Sequence, residues 1–470
     1  MRKLLIAFLA IPFVSCNDSK QKTAYFGGEI INPRDSIVVL YKDDEPVDTA
    51  ILNSQNRFLF KIRLSDKGGD LFKFRHFPEH QHVFIQGGDS VLARVNTLNF
   101  DESLVFSGKG AEKNNFLIEM FLLDEDEQEL IFSYYTLKPE VFSRKIDSLR
   151  AMKMEQYEYL IVNQRLSDAA RNIARASIDY PNYKSREFYP YMHKRLTNIP
   201  RENLLDIPEG FFDFRKNVNY NDEALSFYKP YFDFMVTHFN SLAYVKCVKE
   251  CRKHQIGAEK SVHYYIHKLE LIDRKVKEKG LKDYLFRNTA YTYYFEDQDD
   301  TNNLLFLEKF KVLDKSNKYR DEVETLYTNI RNLSQGSEVP RLELLDAGSK
   351  QTDLVQVCQD SNTVIYFWTF YQKGHSKYIN KYVLALEQEY PKVNFVGICL
   401  NEDYDEWMQT ISFQGLRREH QYLSLNQENI SRGLTINSLN KVIVIDNHNH
   451  IINAFTYINS PELHRILRSL

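Results

Sequence analysis

The residues best suited to soft chemistry in this chain are its five cysteines, Cys16, Cys247, Cys251, Cys358 and Cys399. Two of them belong to a constellation. Cys247-x3-Cys251 is followed by His263-x3-His267, and a spacing of four puts both members of each pair on one helical face. Residues 255–259, with Gly257, read as a turn, so an antiparallel hairpin would bring Cys251 to His263 and Cys247 to His267. Two thiolates and two imidazoles form a zinc-competent set. A plainer reading stands beside it. Residues 262–269 also make an ordinary amphipathic helix, and the strand–strand–helix context of a zinc finger is missing. A disulfide between helical positions i and i+4 is geometrically poor, so two unmodified thiols are the alternative to a metal.

Cys399 closes an apolar run and Cys358 falls in a short helical stretch, both places where cysteine serves as a small buried hydrophobe. Thiol chemistry by either remains the enzymatic alternative. The acidic runs at 124–127 and 297–300 read as solvated surface, and Asn447-His448-Asn449-His450 supplies turn residues between two strands. No phosphate loop, nucleophile elbow or zincin motif is present. A net charge of −3 gives no basic footprint for nucleic acid.

The N-terminus carries a different signal. Arg2 and Lys3 precede an apolar run at 4–14 that is too short to span a bilayer, and Ser15-Cys16 closes it. The pattern resembles a bacterial lipoprotein signal, which implies lipidation of Cys16 as the first mature residue. An ordinary cleaved signal or a short anchor is the alternative, and Phe13 is an imperfect residue for the lipidation motif.

Four segments follow the signal (1–16) and are what must position these residues. A polar tether covers 17–23. Residues 24–110 hold short apolar runs such as Ile37-Val38-Val39-Leu40 and Phe58-Leu59-Phe60, punctuated by Asn32-Pro33 and Gly87-Gly88, which predicts an antiparallel β-sandwich-like module. Residues 111–335 are helical by period, with a start at Pro139 and breaks at Pro181, Pro200, Pro208 and Gly280. Beyond the polar joint at 332–337, residues 336–470 alternate strand and helix. Buried strands are expected at 363–368, 393–398 and 441–446, a helix at about 375–389, a hairpin partner at 451–456, and a last helix capped by Ser460-Pro461-Glu462. That order is the order of a thioredoxin fold.

Phe367-Trp368-Thr369-Phe370-Tyr371 resembles the strand end that leads into Cys-x-x-Cys in the TlpA/ResA-type thioredoxin-like family. Val339-Pro340 resembles the lead-in of such domains, and Ile445-Asp446 the end of their third strand. The resemblance covers about 336–470. The β-rich module is similar, by pattern, to a module that precedes this domain on exported lipoproteins. In the family's register the two cysteines become Gln372 and His375, with Lys373-Gly374 between them, and the cis-proline becomes Asn440. Exchange needs a thiolate that attacks sulfur, and neither replacement supplies one. A cis bond before a residue other than proline costs about 2.5–4 kcal/mol, so Leu439–Asn440 should be trans. His375 itself reads either as a base or ligand in the old cleft or as a tolerated polar replacement.

Together these features predict a multidomain α+β protein with a C-terminal thioredoxin-like α/β domain. It would be exported, lipid-anchored through Cys16 to a bacterial membrane (outer membrane expected), redox-inactive and without a cofactor. Its expected partner is a protein or peptide of the cell envelope. The alternatives are an atypical thiol-disulfide oxidoreductase and a zinc-binding envelope protein using Cys247, Cys251, His263 and His267.

Overall fold

In β4 the side chains alternate without a break: Phe58, Phe60, Ile62 and Leu64 are buried while Arg57, Leu59, Lys61 and Arg63 face outward. That period of two is what the sequence pattern demanded of a strand with one wet face. The computed structural model describes residues 22–64, 68–200, 205–251, 261–296 and 299–470. The signal at 1–16, Cys16, most of the tether and the turn expected at 255–259 lie outside them.

Eight strands build the first module: β1 (Lys22–Ile31), β2 (Ile37–Lys42), β3 (Glu45–Ile51), β4 (Arg57–Leu64), β5 (Asp70–His76), β6 (Glu79–Ile85), β7 (Ser90–Asn96) and β8 (Val105–Lys109), with a short helix α1 (Phe100–Ser103) before β8. They form two four-stranded sheets, ordered β4-β1-β7-β8 and β3-β2-β5-β6. Both sheets bury side chains in one core, including Phe26, Phe60, Phe74, Val83 and Val91. Each buried Phe contributes roughly 1.5–3 kcal/mol by area removed from water. The module departs from the antiparallel expectation at one place, since β1 and β7 run parallel, from Tyr25↔Ser90 to Ile31↔Asn96. Between β1 and β7 the chain builds all four strands of the second sheet and lays β4 antiparallel along one side of β1, and β7 then joins the other side of β1 in the same direction. Glycine is required where β1 lies between its neighbours: a Cβ on Gly28 would sit 2.2 Å from the Ala93 carbonyl oxygen.

The helical stretch contains α2 (Ala111–Asp126), α3 (Gln128–Tyr134), α4 (Pro139–Asn163), α5 (Asp168–Leu196), α6 (Lys229–Glu250), α7 (Val262–Lys275), α8 (Lys279–Glu296), α9 (Asp300–Leu313) and α10 (Arg320–Asn332). Pro139 opens α4, as expected. The break expected at Pro181 does not occur, because α5 continues through both Pro181 and Pro190. An interior proline costs a helix about 3 kcal/mol. Burial of Ile178, Tyr180, Tyr189 and Met192 along α5 offsets it, and Asn182 Nδ2 donates to the Ile146 carbonyl on α4 at 3.2 Å. The chain divides into two compact units, 1–242 with 275–282, and 243–274 with 283–470. The helical stretch is therefore shared between units and forms none of its own.

The end of the chain is built on a seven-stranded sheet from β9 (Glu343–Asp346), β10 (Gln351–Asp353), β11 (Thr363–Trp368), β12 (Asn394–Cys399), β13 (Gln421–Ser424), β14 (Lys441–Ile445) and β15 (Ile451–Tyr457). Its order is β10-β9-β13-β12-β11-β14-β15. The central strands β11, β12 and β13 are parallel, and β14 and β15 continue antiparallel from β11. The helices are α11 (Leu354–Cys358), α12 (Lys373–Glu389), α13 (Tyr404–Gln414), α14 (Gln427–Gly433) and α15 (Pro461–Leu467). Both faces of the sheet are covered, one core holding Trp368, Val383 and Trp407, the other Phe367, Ile398 and Ile443. Ser460 caps α15 by accepting from the Glu462 N–H. This strand and helix order is thioredoxin-like.

Candidate functional site

The site predicted from sequence lies where β11 ends and α12 begins. All six residues of β11 are buried, as a strand inside a sheet covered on both faces requires. Trp368 at its end donates through Nε1 to Gln421 Oε1 at 3.1 Å, and Gln421 Nε2 donates to the Tyr366 hydroxyl at 2.8 Å. Beyond Trp368, the Phe370 N–H donates to Asn401 Oδ1 at 2.9 Å and fixes the exit of the chain. Gln372 is the N-cap residue of α12, and its side chain makes no capping bond.

Gln372, Lys373 and Gly374 are exposed, and His375 is half-buried. His375 Nε2 donates to Asn440 Oδ1 at 3.1 Å, joining the first turn of α12 to the residue before β14. Two positions that the register set side by side, His375 and Asn440, therefore meet in space. The imidazole's other nitrogen, Nδ1, is buried without a hydrogen-bond partner among the described residues. Leu439–Asn440 is trans, and the Asn440 carbonyl accepts from the Ile458 N–H at 2.8 Å.

Among the described residues, the two cysteines of this domain lie in its cores. Cys399 faces the core containing Trp407, and Cys358 the core on the opposite face of the sheet. Both are fully buried, and burial pushes both thiols up to about 12. A thiol so held is protonated and a poor nucleophile. Position and protonation thus both argue against exchange by either residue.

Sequence reasoning missed Lys441, the residue after Asn440. Its ammonium is buried and donates to the Leu434 carbonyl (2.7 Å), the Thr435 carbonyl (3.0 Å) and Thr435 Oγ1 (2.9 Å). It also lies 4.8 Å from the Phe455 ring centroid. Burial lowers its pKa to about 7. A lysine opening a buried strand was the available signal.

A cleft of about 920 Å³ was missed as well. Tyr291, Phe295, Glu322, Asn329, Glu402 and Arg432 line it, on α8, α10, α14 and the turn after β12. Arg287 holds Glu322 through two nitrogens and Tyr291 donates to the same carboxylate, so this wall is already internally paired.

The Cys/His constellation is partly assembled. Cys247 on α6, Cys251 just beyond it and His267 on α7 place their donor atoms within 4.8 Å of one another. The expected pairing needs correction. His267, not His263, meets Cys251, with Nε2 3.8 Å from Sγ, while Cys247 Sγ lies 3.9 Å from Ser261 Oγ. His263 is outside the cluster. Burial of Val262, Tyr265, Leu269 and Ile272 sets the rotation of α7, and the two helices meet about one turn away from the register a tight hairpin would impose. All four described cysteines are free thiols.

No family model matches the chain, and no curated protein matches it. Solved structures do. The thioredoxin domain of a thiol-disulfide oxidoreductase from Bacteroides vulgatus is 15% identical over 29% of this chain and 97% of that one, with a TM-score of 0.25. A thiol:disulfide interchange protein from Bacteroides sp. is 14% identical over 30% and 91%, TM-score 0.25. A thiol-disulfide oxidoreductase from Bacteroides fragilis is 19% identical over 28% and 98%, TM-score 0.24. The likeness concerns under a third of this chain. No helix among the described residues is long and apolar enough to cross a membrane.

Proposed function

We propose that this chain is a lipid-anchored cell-envelope protein whose thioredoxin-like domain binds a protein or peptide instead of exchanging disulfides. The observation that carries this reading is the His375–Asn440 hydrogen bond at the start of α12. It fills the junction with two side chains that cannot carry a disulfide, while the nearest alternatives, Cys358 and Cys399, are sealed in the two cores. Membrane attachment rests on the signal pattern ending at Cys16.

The surface beside that junction supports binding. Lys373, Lys377 and Lys381 are exposed at i, i+4 and i+8, and so share one side of α12. Tyr371 and Tyr378 are exposed at 40% and 49%, and aromatic residues favour interfaces because one end is apolar and the other wet. The positive helix N-terminus adds to the lysines, so the surface suits an acidic segment. The test is a photo-reactive residue at Tyr371 in the membrane-anchored chain. One discrete adduct that disappears when Lys373, Lys377 and Lys381 are changed to Glu is expected. Labelling unchanged by that reversal would remove the assigned surface.

A further inference from the structure

Cys247 and Cys251 lie one turn apart, at 0% and 4% exposure, and His267 approaches them from α7. Packing alone accounts for two cysteines on a buried stripe. It does not by itself bring an imidazole nitrogen to 3.8 Å from the Cys251 sulfur, a thiol–imidazole hydrogen-bond contact, beside a second unbridged thiol. Bonds of about 2.3 Å to sulfur and 2.0–2.1 Å to nitrogen at a tetrahedral centre put neighbouring donors roughly 3.5–3.8 Å apart. The Cys251–His267 separation is already of that size.

We propose that Cys247, Cys251 and His267 bind one zinc ion, which ties the end of α6 to α7. Two thiolates balance the charge of the ion when water completes the site, so that arrangement carries no net charge. The fourth position falls to water or to Glu250, whose Oε2 lies 3.7 Å from His267 Nε2.

The surroundings have the form that a metal-bound histidine needs. A ligating imidazole donates its other N–H to a carboxylate, which orients the ring. His267 Nδ1 is buried with no hydrogen-bond partner among the described residues, and Glu270 Oε2 stands 3.6 Å from it. Glu270 is itself held by Lys246 at 3.0 Å and Lys309 at 3.2 Å. A modest ring rotation makes the Nδ1–H to Glu270 bond while leaving Nε2 toward the sulfurs. Two cations stand in this set: Lys246 pairs with both Glu250 and Glu270, and Lys309 pairs with Glu270.

The experiment uses the soluble chain from residue 17, stripped with chelator, reloaded with zinc sulfate and desalted, with bound metal counted by mass spectrometry. One equivalent of zinc per chain is expected. It should be lost in Cys251→Ser and in His267→Ala, and kept in His263→Ala and Cys358→Ser. Glu270→Gln should weaken affinity about 10–100-fold. Because a variant at a buried cysteine can fail to fold, cobalt(II) is added to the unaltered chain as well. A thiolate-to-cobalt charge-transfer band, displaced by zinc, is the expected result. Absence of that band, no zinc retained after reloading, or zinc retained by the Cys251→Ser/His267→Ala double variant would each overturn the assignment.

Discussion

Changing Lys441 to Met should flatten the pH dependence of the thioredoxin-like domain's stability. Lys441 is 2% exposed, and burial takes its pKa from the ordinary 10.5 to about 7. Between those values the unfolded chain holds a proton that the folded chain binds less well, so stability rises with pH. The penalty is complete below about pH 7 and is relieved as pH climbs toward 10.5. The fall from 10.5 to about 7 corresponds to roughly 5 kcal/mol as a ceiling. The three oxygens facing the ammonium favour the charged form and reduce that figure. Over pH 7.5 to 9.5 the unaltered chain should therefore gain about 1–3 kcal/mol relative to Lys441→Met. The assay is favoured by the sequence: the only two tryptophans, Trp368 and Trp407, both lie in this domain's core. Urea unfolding followed by tryptophan fluorescence consequently reads this domain. Lys268, also buried and lowered to about 7, is present in both proteins and cancels in the difference. Parallel stability curves for the two proteins would refute the account of Lys441 as a buried, reluctantly charged group.

Placing sulfur at both positions, in Gln372→Cys/His375→Cys, should create measurable disulfide-reductase turnover, since α12 begins at that point and a helix N-terminus lowers a thiol's pKa; turnover equal to the unaltered chain's would mean that the junction lacks reactive geometry. Phe26→Ala should cost the β module about 3–5 kcal/mol, as expected for a fully buried ring packed on Phe58 and Phe74, measured by urea unfolding with circular dichroism. Glu187 receives hydrogen bonds from His238 and Arg215 in a buried setting. Burial pushes its carboxyl up, but those two partners outweigh burial and hold it below the ordinary range. Its stabilisation should be present above the ordinary glutamate range and be lost as pH falls through the depressed folded value. Glu187→Gln should cost about 1–3 kcal/mol at pH 7 by removing the carboxylate that the half-buried Arg215 and the buried His238 share. A neutral effect in thermal melts would show that the network is not coupled to folding.

The C-terminal domain was the most legible part of the sequence. Strands such as Thr363–Trp368 are continuous apolar runs bounded by turns, a pattern that local chemistry alone dictates. The proximity of His375 and Asn440, 65 residues apart, followed from the strand order once the family's register was set on Phe367-Trp368. Features that depend on tertiary packing were less visible. Nothing local says that β1 accepts β7 in parallel, or that α5 crosses Pro181, because in both cases distant burial decides. The Cys/His constellation shows the same limit. Helical spacing found Cys247, Cys251 and His267, but the choice between His263 and His267 depended on how α7 is rotated by Val262, Tyr265 and Leu269. Lys441 and the cleft at α10 and α14 rest on loop closure and helix packing, which periodicity does not encode.

The central claim, that the thioredoxin-like domain does not perform thiol–disulfide exchange, is tested most directly by steady-state disulfide-reductase turnover of the soluble chain from residue 17, given a reduced-thiol donor and a protein disulfide substrate. The account predicts a rate equal to that of the donor alone. Turnover clearly above it, and lost in Cys358→Ser or Cys399→Ser, would contradict the account and return the domain to the enzymes it resembles.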